Sequence, residues 1–211
     1  MSGDDVQESV AFFTHQGRVK RVALGEFDNV RASGLVAIRL GKHDSLGWVA
    51  LTDDEDLIIV TQRGQALRFV GKSVRQMGRS ASGVIAIKLA PEDRVCSAAV
   101  VSPEADLLVV TKTGYGKRTP LSEFATKGRG GKGVRCLGGE LEQTGGISAA
   151  RVVWPDDEVI VVSTSGMVLR TQASEIPQMG RATRGARVMD LKKGDQVSSV
   201  AVVSSRERSE G

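Results

Sequence analysis

A short glycine-rich segment, Thr126 to Val134, carries the residue types best suited to binding a phosphate anion. It places Lys127, Arg129 and Lys132 beside four glycines and contains no acidic residue. Glycine lets the backbone approach a ligand closely, while lysine and arginine supply the positive charge that phosphate attracts. The segment alone is ambiguous, because glycine-rich basic turns also occur as ordinary surface loops. Its place within a repeated sequence favours the binding hypothesis.

The surrounding sequence occurs four times. Each copy has an aliphatic run, then a glycine, then an arginine four residues later, and these first glycines are Gly17, Gly64, Gly114 and Gly166. A second glycine follows a cation at the same period, at Gly34, Gly83, Gly133 and Gly185. Two independent markers that share one period indicate a protein built from four repeats.

Each repeat predicts four short β-strands. β-Branched runs bounded by turn residues predict buried first strands at 10–13, 57–60, 107–110 and 159–162. The first glycine predicts a hairpin turn into a second strand that carries the arginine. Third strands are predicted at 35–40, 84–89, 134–137 and 188–191, and fourth strands at 47–51, 97–101, 149–153 and 198–203. Four strands in about fifty residues are typical of a propeller blade, so we expect an all-β fold of four blades.

The connections predict little helix. Pro120 argues against a central strand, so the segment 119–124 is expected to hold at most one helical turn. Acids are expected to mark a turn before the fourth strand at Asp44, Asp93 and Asp195, whereas the third copy is expected to have a loose loop at 138–146. We expect one domain over 10–203, with repeats at 10–51, 57–101, 107–153 and 159–203 and disordered ends at 1–9 and 204–211.

Composition is that of an ordinary soluble protein. The 211 residues are 40% hydrophobic, with a net charge of +4 and 25 glycines, and no run has the length of a membrane span. Cys96 and Cys136 lie in apolar runs and are expected to be buried thiols of an intracellular protein. His15 and His43 lack the spacing of metal ligands and are expected at the surface. We therefore expect no metal site and no cofactor.

Charge is unevenly distributed within each repeat. Cations dominate between the first glycine and the last strand, while acids collect in the other half, as in Asp53–Asp56. Stacked repeats would then present a basic stripe, which is the electrostatic signature of a polyanion-binding surface. The candidate phosphate contacts are Lys20, Arg21, Arg31, Arg68, Lys72, Arg75, Arg79, Lys117, Arg118, Lys127, Arg129, Lys132, Arg170, Arg181 and Arg184.

The strand arginines Arg21, Arg68, Arg118 and Arg170 have an alternative role. They could pair with acids of a neighbouring blade and be purely structural, and the sequence does not decide between the two roles. The loop cations lie beside glycines in turns that contribute little to a core, which favours phosphate contact for them. They are Arg31, Arg79, Lys127, Arg129, Lys132 and Arg181.

Several motifs resemble one bacterial family. They are Phe-x-Thr-x-x-Gly-x-Val-Lys-Arg at 12–21, Thr-Gly-Tyr-Gly-Lys-Arg-Thr-Pro-Leu-Ser-Glu-Phe at 113–124, Met-Gly-Arg-x-x-x-Gly at 77–83 and 179–185, and Gly-Arg-Gly-Gly-Lys-Gly-Val at 128–134. Together they are similar to the C-terminal domain of the DNA gyrase A protein, within the gyrase and topoisomerase IV group. The resemblance covers essentially residues 10–203.

The resemblance implies a β-pinwheel, a propeller-like disc whose blades exchange strands and whose basic rim bends duplex DNA. In gyrase the bend becomes a chiral wrap that supports ATP-dependent negative supercoiling. The implied partners are the catalytic part of gyrase A and gyrase B, in the cytoplasm at the nucleoid. Relatives usually have six blades, so two are expected to precede residue 10. The gyrase wrapping box Gln-Arg-Arg-Gly-Gly-Arg-Gly is absent, and its nearest match is Lys127 to Gly133.

No catalytic constellation is evident. Type II topoisomerases use a tyrosine preceded by arginine, whereas Tyr115 follows Gly114 in a hairpin turn and is expected to cover apolar surface. Residues 128–133 lack the Gly-Lys-Ser/Thr ending and the following helix of a nucleotide-binding P-loop. The chain is therefore expected to be non-enzymatic. The alternatives to gyrase-type wrapping are a topoisomerase IV domain that bends DNA without chiral wrapping and a propeller scaffold that binds proteins.

Overall fold

Aliphatic runs separated by glycine turns form fifteen short strands in the computed structural model, which describes residues 8–30 and 32–205. The strands are β1 (Ser9–Thr14), β2 (Arg18–Ala23), β3 (Leu46–Thr52), β4 (Asp56–Thr61), β5 (Gln65–Val70), β6 (Val84–Ile85), β7 (Val95–Val100), β8 (Asp106–Thr111), β9 (Tyr115–Pro120), β10 (Val134–Arg135), β11 (Ile147–Val153), β12 (Glu158–Ser163), β13 (Val168–Gln172), β14 (Ala186–Arg187) and β15 (Val197–Val203). Short 3₁₀ turns follow the second strand of each repeat at Leu24–Phe27, Gly71–Ser73, Leu121–Glu123 and Ala173–Glu175. Helix content in the described residues is otherwise the single turn α1 (Leu141–Thr144).

The strands form four antiparallel sheets, one per repeat. Their strand orders are β3-β1-β2-β6 in blade 1, β7-β4-β5-β10 in blade 2, β11-β8-β9-β14 in blade 3 and β15-β12-β13 in blade 4. The predicted four-bladed, all-β, propeller-like fold is therefore confirmed. The strands β3, β7, β11 and β15 pack against one another in succession, so each blade contacts the next through these inner strands.

Neighbouring blades exchange strands, as the resemblance implied. The outermost strand of each of the first three sheets comes from the following repeat. Val84 of β6 lies opposite Val19 of β2, and Val134 of β10 lies opposite Ala66 of β5. Ala186 of β14 likewise lies opposite Gly116 of β9. We call these two-residue strands the donor strands.

The core lies between the blades. Phe13 and Val19 of blade 1 pack with Ile59 of blade 2 and with Ile87, which follows donor strand β6. Leu137 holds the same position between blades 2 and 3. Burial of these aliphatic residues supplies the main force that holds adjacent blades together.

The predicted strand bounds need several corrections. β1 begins at Ser9, which is buried, although residues 1–9 were expected to be disordered. The third strands are only two residues long, at 84–85, 134–135 and 186–187, and no strand forms in the predicted segment 35–40. The expected loose loop at 138–146 contains α1, which ends at Thr144 and is followed by Gly145 in the left-handed region. Residues 1–7 and 206–211, predicted to be disordered, lie outside the described residues.

The predicted acid turns hold the hairpin tips in place. Asp44 Oδ1 accepts a hydrogen bond from Gln16 N at 3.0 Å, and Asp93 Oδ1 accepts one from Arg63 N at 3.1 Å. Asp195 Oδ1 accepts one from Ser165 N at 3.0 Å. In the third repeat, which lacks the acid, Thr113 N donates instead to the carbonyl of Thr144 in α1. Among the described residues, no helix has the length and apolar character needed to cross a bilayer.

Candidate nucleic-acid interface

The four strand arginines lie at one repeated position, and three of them are enclosed by the fold. Their guanidinium groups form ion pairs with Asp54 for Arg21, Asp56 for Arg68, Asp106 for Arg118 and Glu158 for Arg170. The acid belongs to the arginine's own blade for Arg68, Arg118 and Arg170, whereas Asp54, the partner of Arg21, lies in the connection between β3 and β4. The side chains of Arg21, Arg68 and Arg118 are 4%, 16% and 10% exposed, whereas that of Arg170 is 67% exposed.

The enclosed arginines also tie each blade to the next. Arg21 Nη1 donates to Gly71 O at 3.1 Å, and Arg68 Nη1 donates to Leu121 O at 3.1 Å. Both acceptors are in the 3₁₀ turn of the following repeat. Arg118 Nε donates to the carbonyl of Ile176, just after the next such turn, at 2.8 Å. These contacts favour the structural alternative for Arg21, Arg68 and Arg118.

Lys20 and Lys117 are fully buried, so their ammonium groups do not reach solvent. Lys117 Nζ donates to the carbonyls of Gly180 at 2.8 Å and Arg181 at 2.6 Å, and to Thr183 Oγ1 at 3.2 Å. Lys20 Nζ donates to the carbonyls of Ala37 and Arg79. Both lysines thus fix the loops that carry the basic residues, and burial lowers the pKa of Lys117 to about 8. Their assignment as direct phosphate contacts needs correction, because no exposed ammonium remains to meet a ligand.

The loop arginines Arg79, Arg129 and Arg181 occupy equivalent positions at successive blade boundaries. Each contacts the third residue of the 3₁₀ turn in the preceding repeat. Arg79 Nη1 donates to Glu26 O at 3.0 Å, and Arg129 Nε donates to Ser73 O at 3.4 Å. The backbone N–H of Arg181 donates to Glu123 Oε2 at 3.0 Å. These three arginines therefore recur once at each of the three blade boundaries.

The loops that carry these arginines run along the outer edge of each blade. Met77 N donates to Arg21 O at 2.9 Å, Lys127 N to Arg68 O at 2.9 Å and Met179 N to Arg118 O at 2.8 Å. Each loop therefore follows the second strand of the preceding blade before it enters the donor strand. We call this surface, made of residues 75–85, 126–135 and 178–187, the basic rim.

Most other predicted contacts on or beside the basic rim are exposed. Lys72, Arg75, Lys127, Arg129, Lys132 and Arg184 are exposed, and Arg79 and Arg181 are half-buried. Lys132 and Lys88 line one groove of about 620 Å³ between blades 2 and 3, which also contains Asp93. Arg31 lies outside the described residues.

Tyr115 contacts two arginines, which the sequence did not indicate. Two guanidinium groups lie against its ring, with the Cζ of Arg184 4.5 Å and that of Arg187 5.0 Å from the ring centroid. Arg187 Nη2 also donates to Tyr115 Oη at 3.1 Å. The tyrosine therefore positions two cations on the basic rim.

Two exposed rim cations were missed from the sequence, Arg135 of β10 and Arg187 of β14. Arg135 falls in the predicted third strand 134–137, and Arg187 immediately precedes the predicted third strand 188–191. The alternation of side chains in a strand at the edge of a sheet, with Val134 and Ala186 inward, is the signal that could have found them.

Other predicted residues are placed as follows. Cys96 and Cys136 are buried free thiols, as expected, and burial raises the pKa of Cys136 to about 12. His43 is exposed, but His15 is half-buried, with its ring against Trp48 and its Nδ1 3.1 Å from the carbonyl of Val95. No group of three or more metal-ligating side chains occurs in the residues that the structure describes.

Known proteins match this fold and its repeats. The family described as "DNA gyrase C-terminal domain, beta-propeller" matches the chain at residues 8–53, 55–102, 105–153 and 157–204. The DNA gyrase A protein of Kosmotoga olearia is 41% identical over 194 residues, which cover 90% of this chain and 24% of the relative. The DNA gyrase A protein of Mycolicibacterium smegmatis is 38% identical over 191 residues, covering 89% of this chain and 23% of the relative. The chain thus spans about a quarter of the length of these relatives.

Two solved structures share the fold. The structure of a DNA gyrase A C-terminal domain matches with a TM-score of 0.84 and 28% identity, covering 95% of this chain and 68% of that one. The C-terminal domain of a DNA topoisomerase IV matches with a TM-score of 0.88 and 27% identity, covering 96% of this chain and 64% of that one. With four matched repeats and four strand-exchanging blades, the chain belongs to the DNA gyrase C-terminal domain family.

Proposed function

We propose that this chain is a non-catalytic module that binds duplex DNA along its basic rim and bends or wraps it, as part of a gyrase-type DNA topoisomerase. The observation that carries the proposal is the recurrence of Arg79, Arg129 and Arg181 at equivalent blade boundaries. A duplex presents phosphates at regular intervals, so a row of cations fixed by the repeat of the fold complements it. Family membership supports the same function.

The contacts are expected to be nearly independent of sequence. They are cations on loops and edge strands, which favour the phosphate backbone, and no recognition helix is present among the described residues to read base edges. Bending a duplex over this length costs several kcal/mol, and contacts from several blades would offset that cost. We propose that the bent DNA serves strand passage by the catalytic part of gyrase A and by gyrase B, where ATP is used, in the bacterial cytoplasm at the nucleoid.

The proposed contact set follows side-chain exposure. It consists of Lys72, Arg75, Arg79, Lys127, Arg129, Lys132, Arg135, Arg170, Arg181, Arg184 and Arg187, with Arg31 kept from the sequence. Arg170 is included because its guanidinium is exposed although it pairs with Glu158. Lys20, Arg21, Arg68, Lys117 and Arg118 position the rim from within the fold.

The salt dependence of DNA binding tests this proposal. If about eight phosphates are neutralised, log K should fall against log salt concentration with a slope of about −7. The double variant Arg129→Ala/Lys132→Ala should weaken binding and reduce the slope by about 2, because two phosphate contacts are removed. Fluorescence anisotropy of a labelled duplex across a salt series measures both quantities.

A matched control removes the same number of charges from elsewhere in the chain. Lys192 and Lys193 are exposed and lie in the turn between β14 and β15, outside the basic rim. Lys192→Ala/Lys193→Ala should keep nearly the original slope. Equal losses in the two double variants, or an affinity that is insensitive to salt, would exclude a DNA site at the rim.

A topoisomerase IV-type domain that bends DNA without chiral wrapping is the second candidate, favoured by the TM-score of 0.88 to such a domain. A closed plasmid relaxed in the presence of the chain separates the two functions. Chiral wrapping changes the linking number in proportion to the amount of bound protein, whereas bending in a plane leaves it unchanged. We expect a change for the gyrase-type module, and an unchanged linking number despite saturated binding would favour the second candidate.

A further inference from the structure

The hairpin of blade 3 differs from the other three hairpins in two neighbouring features. It carries Tyr115, the single tyrosine of the chain, directly after its turn glycine. Carboxylates hold the tips of the other hairpins, at Asp44, Asp93 and Asp195. In blade 3 the backbone carbonyl of Thr144 in α1 takes this place. The tip of blade 3 is therefore fixed without the negative charge that the other tips carry.

Arg187 lies against Tyr115 because strand exchange pairs the two residues. β14 places Arg187 directly opposite Tyr115 of β9. Its Nη2 donates to Tyr115 Oη at 3.1 Å, and its Cζ lies 5.0 Å from the ring centroid. The phenolic oxygen accepts this hydrogen bond, so its own O–H is available as a donor, and no described residue accepts it.

Arg184 is held against the same ring by the loop 138–146, which is longer in the third repeat. Its Cζ lies 4.5 Å from the ring centroid of Tyr115, and its Nη1 donates to Gln143 Oε1 at 3.2 Å. A Cβ added at Gly139 would lie 3.2 Å from Cδ and Cγ of Arg184, so the aliphatic part of the side chain packs against this glycine. The loop thus fixes a rim arginine as well as the hairpin tip.

The two guanidinium groups concentrate positive charge at one place on the rim. Both Cζ atoms lie within 5.0 Å of the centroid of one ring, whose π-electrons attract each cation. Among the described residues, the carboxylate paired with them is that of Asp190, 3.5 Å from Arg187 Nε, and its side chain is 91% exposed. So exposed an ion pair contributes little and is readily replaced by a ligand. An anion that contacts both guanidinium groups would relieve their mutual repulsion.

A phosphate group suits the donors that this cluster offers. A guanidinium presents its N–H groups in a planar fork that matches two phosphate oxygens. Tyrosine hydroxyls are among the groups that donate to phosphates in DNA complexes. The cluster therefore offers one anion two guanidinium forks and a hydroxyl, all held in place before a ligand binds.

The equivalent positions at the other two blade boundaries lack this arrangement. Between blades 1 and 2, Arg18 stands opposite Ile85, and its guanidinium donates to two backbone carbonyls at 2.9 and 2.7 Å. Between blades 2 and 3, Gln65 stands opposite Arg135. Neither pair contains an aromatic ring, so the cluster is particular to the boundary between blades 3 and 4.

We infer that Tyr115, Arg184 and Arg187 together bind one phosphate group of the DNA backbone, with the tyrosine hydroxyl as a direct donor. Gln143 and Gly139 are positioning residues that hold Arg184 in place. The inference rests on the proposed function and adds to it a preorganised site between blades 3 and 4. Long side chains elsewhere on the rim lose rotamer freedom when they meet a phosphate, whereas the contacts of this cluster already restrict its side chains.

A single fluorine atom can report on this site, because Tyr115 is the only tyrosine of the chain. The whole chain labelled with 3-fluorotyrosine is titrated with duplex DNA, while the anisotropy of a labelled duplex gives the occupancy. We expect the fluorine resonance to move in step with occupancy, in the wild type and in Lys192→Ala/Lys193→Ala alike. In Arg184→Gln/Arg187→Gln, at equal occupancy, the resonance should move much less. Inorganic phosphate at the same ionic strength should move it only at far higher phosphate concentrations.

Affinity and salt dependence separate the hydroxyl from the two charges. Tyr115→Phe keeps the ring and removes one donor, so DNA affinity should fall about two- to tenfold with an unchanged salt slope. Arg184→Gln/Arg187→Gln should weaken binding further and lower the slope by about 1, because both guanidinium groups act on one phosphate. In that double variant, Tyr115→Phe should have no additional effect, since the phosphate is no longer held beside the hydroxyl. Unchanged thermal midpoints establish that the variants remain folded.

Two results would overturn the inference and leave the proposed function intact. One is a fluorine resonance that stays in place while DNA saturates the wild type with the expected salt dependence; a response to inorganic phosphate alone would then make this a site for free phosphate. The other is a Tyr115→Phe variant that binds DNA as tightly as the wild type, or that loses as much affinity when both arginines are absent. A wild type without salt-dependent DNA binding would instead overturn the proposed function, and this inference with it.

Discussion

Lys117 and Arg129 belong to the same repeat, but only Arg129 is exposed. Lys117 lies on a strand covered by the next repeat, where three oxygen atoms replace its water. Arg129 lies in a glycine-rich loop at the outer edge, where its guanidinium makes two longer hydrogen bonds at 3.4 and 3.2 Å and remains accessible. The first cation stabilises the fold, and the second is available to a ligand.

The buried lysine leads to a stability prediction. Lys117→Leu introduces leucine, the residue type found at the equivalent positions Leu67 and Leu169. The substitution leaves the carbonyls of Gly180 and Arg181 without their hydrogen-bond donor. We expect the free energy of unfolding at pH 7 to fall by about 1–3 kcal/mol. Urea denaturation measures this loss, and the exposed Lys72→Leu should change stability by less than about 0.5 kcal/mol.

The same substitution changes the pH dependence of stability. The pKa of Lys117 is about 8 in the folded chain and near 10.5 when unfolded, so between these values the unfolded state binds more protons. The difference in the free energy of unfolding, wild type minus Lys117→Leu, should therefore increase as the pH rises from 8 towards 10.5. Carrying Cys136→Ala in both proteins removes the thiol that interacts electrostatically with Lys117, so that the difference isolates the lysine. A difference that stays constant with pH would contradict a lowered lysine pKa.

At the scale of the elements, locally specified structure was predictable and strand exchange was only partly so. The hairpins follow from an aliphatic run and a glycine at positive φ, and both features lie within one short segment of the sequence, as at Gly64. A donor strand exists only where the preceding blade offers an edge, so its length of two residues could not be deduced from the longer apolar run at 84–89. Residues 35–40 have the donor pattern, but no blade precedes them among the described residues, and they form no strand.

The residues of the candidate site were likewise only partly predictable from the sequence. Arg79, Arg129 and Lys132 were recognised because glycine-rich loops contribute little to a core, and the structure leaves them wholly or partly exposed. Burial of Lys20 and Lys117 could not be predicted, because the groups that enclose them come from other segments of the chain. The contact of Tyr115 with Arg184 and Arg187 also joins distant segments, so the sequence gives no local signal for it.

At the scale of the whole molecule, the repeat converts a local motif into an extended surface. Strand exchange locks each blade to the next and fixes one loop arginine at each boundary, at Arg79, Arg129 and Arg181. Because the same contacts recur, the cations follow the course of the blades, and a duplex that touches several of them must follow that course as well. Under the proposed function, curvature of bound DNA would follow from how the blades stack.

The bend itself is the most direct test of a DNA-bending role for the rim. A duplex of about 40 base pairs, short compared with the persistence length of DNA, carries a fluorescent donor at one end and an acceptor at the other. Binding of the wild type should shorten the end-to-end distance and raise energy transfer, and Lys192→Ala/Lys193→Ala should do the same. Arg129→Ala/Lys132→Ala, compared at equal occupancy, should raise energy transfer less. Saturated binding of the wild type with no change in energy transfer would contradict that role.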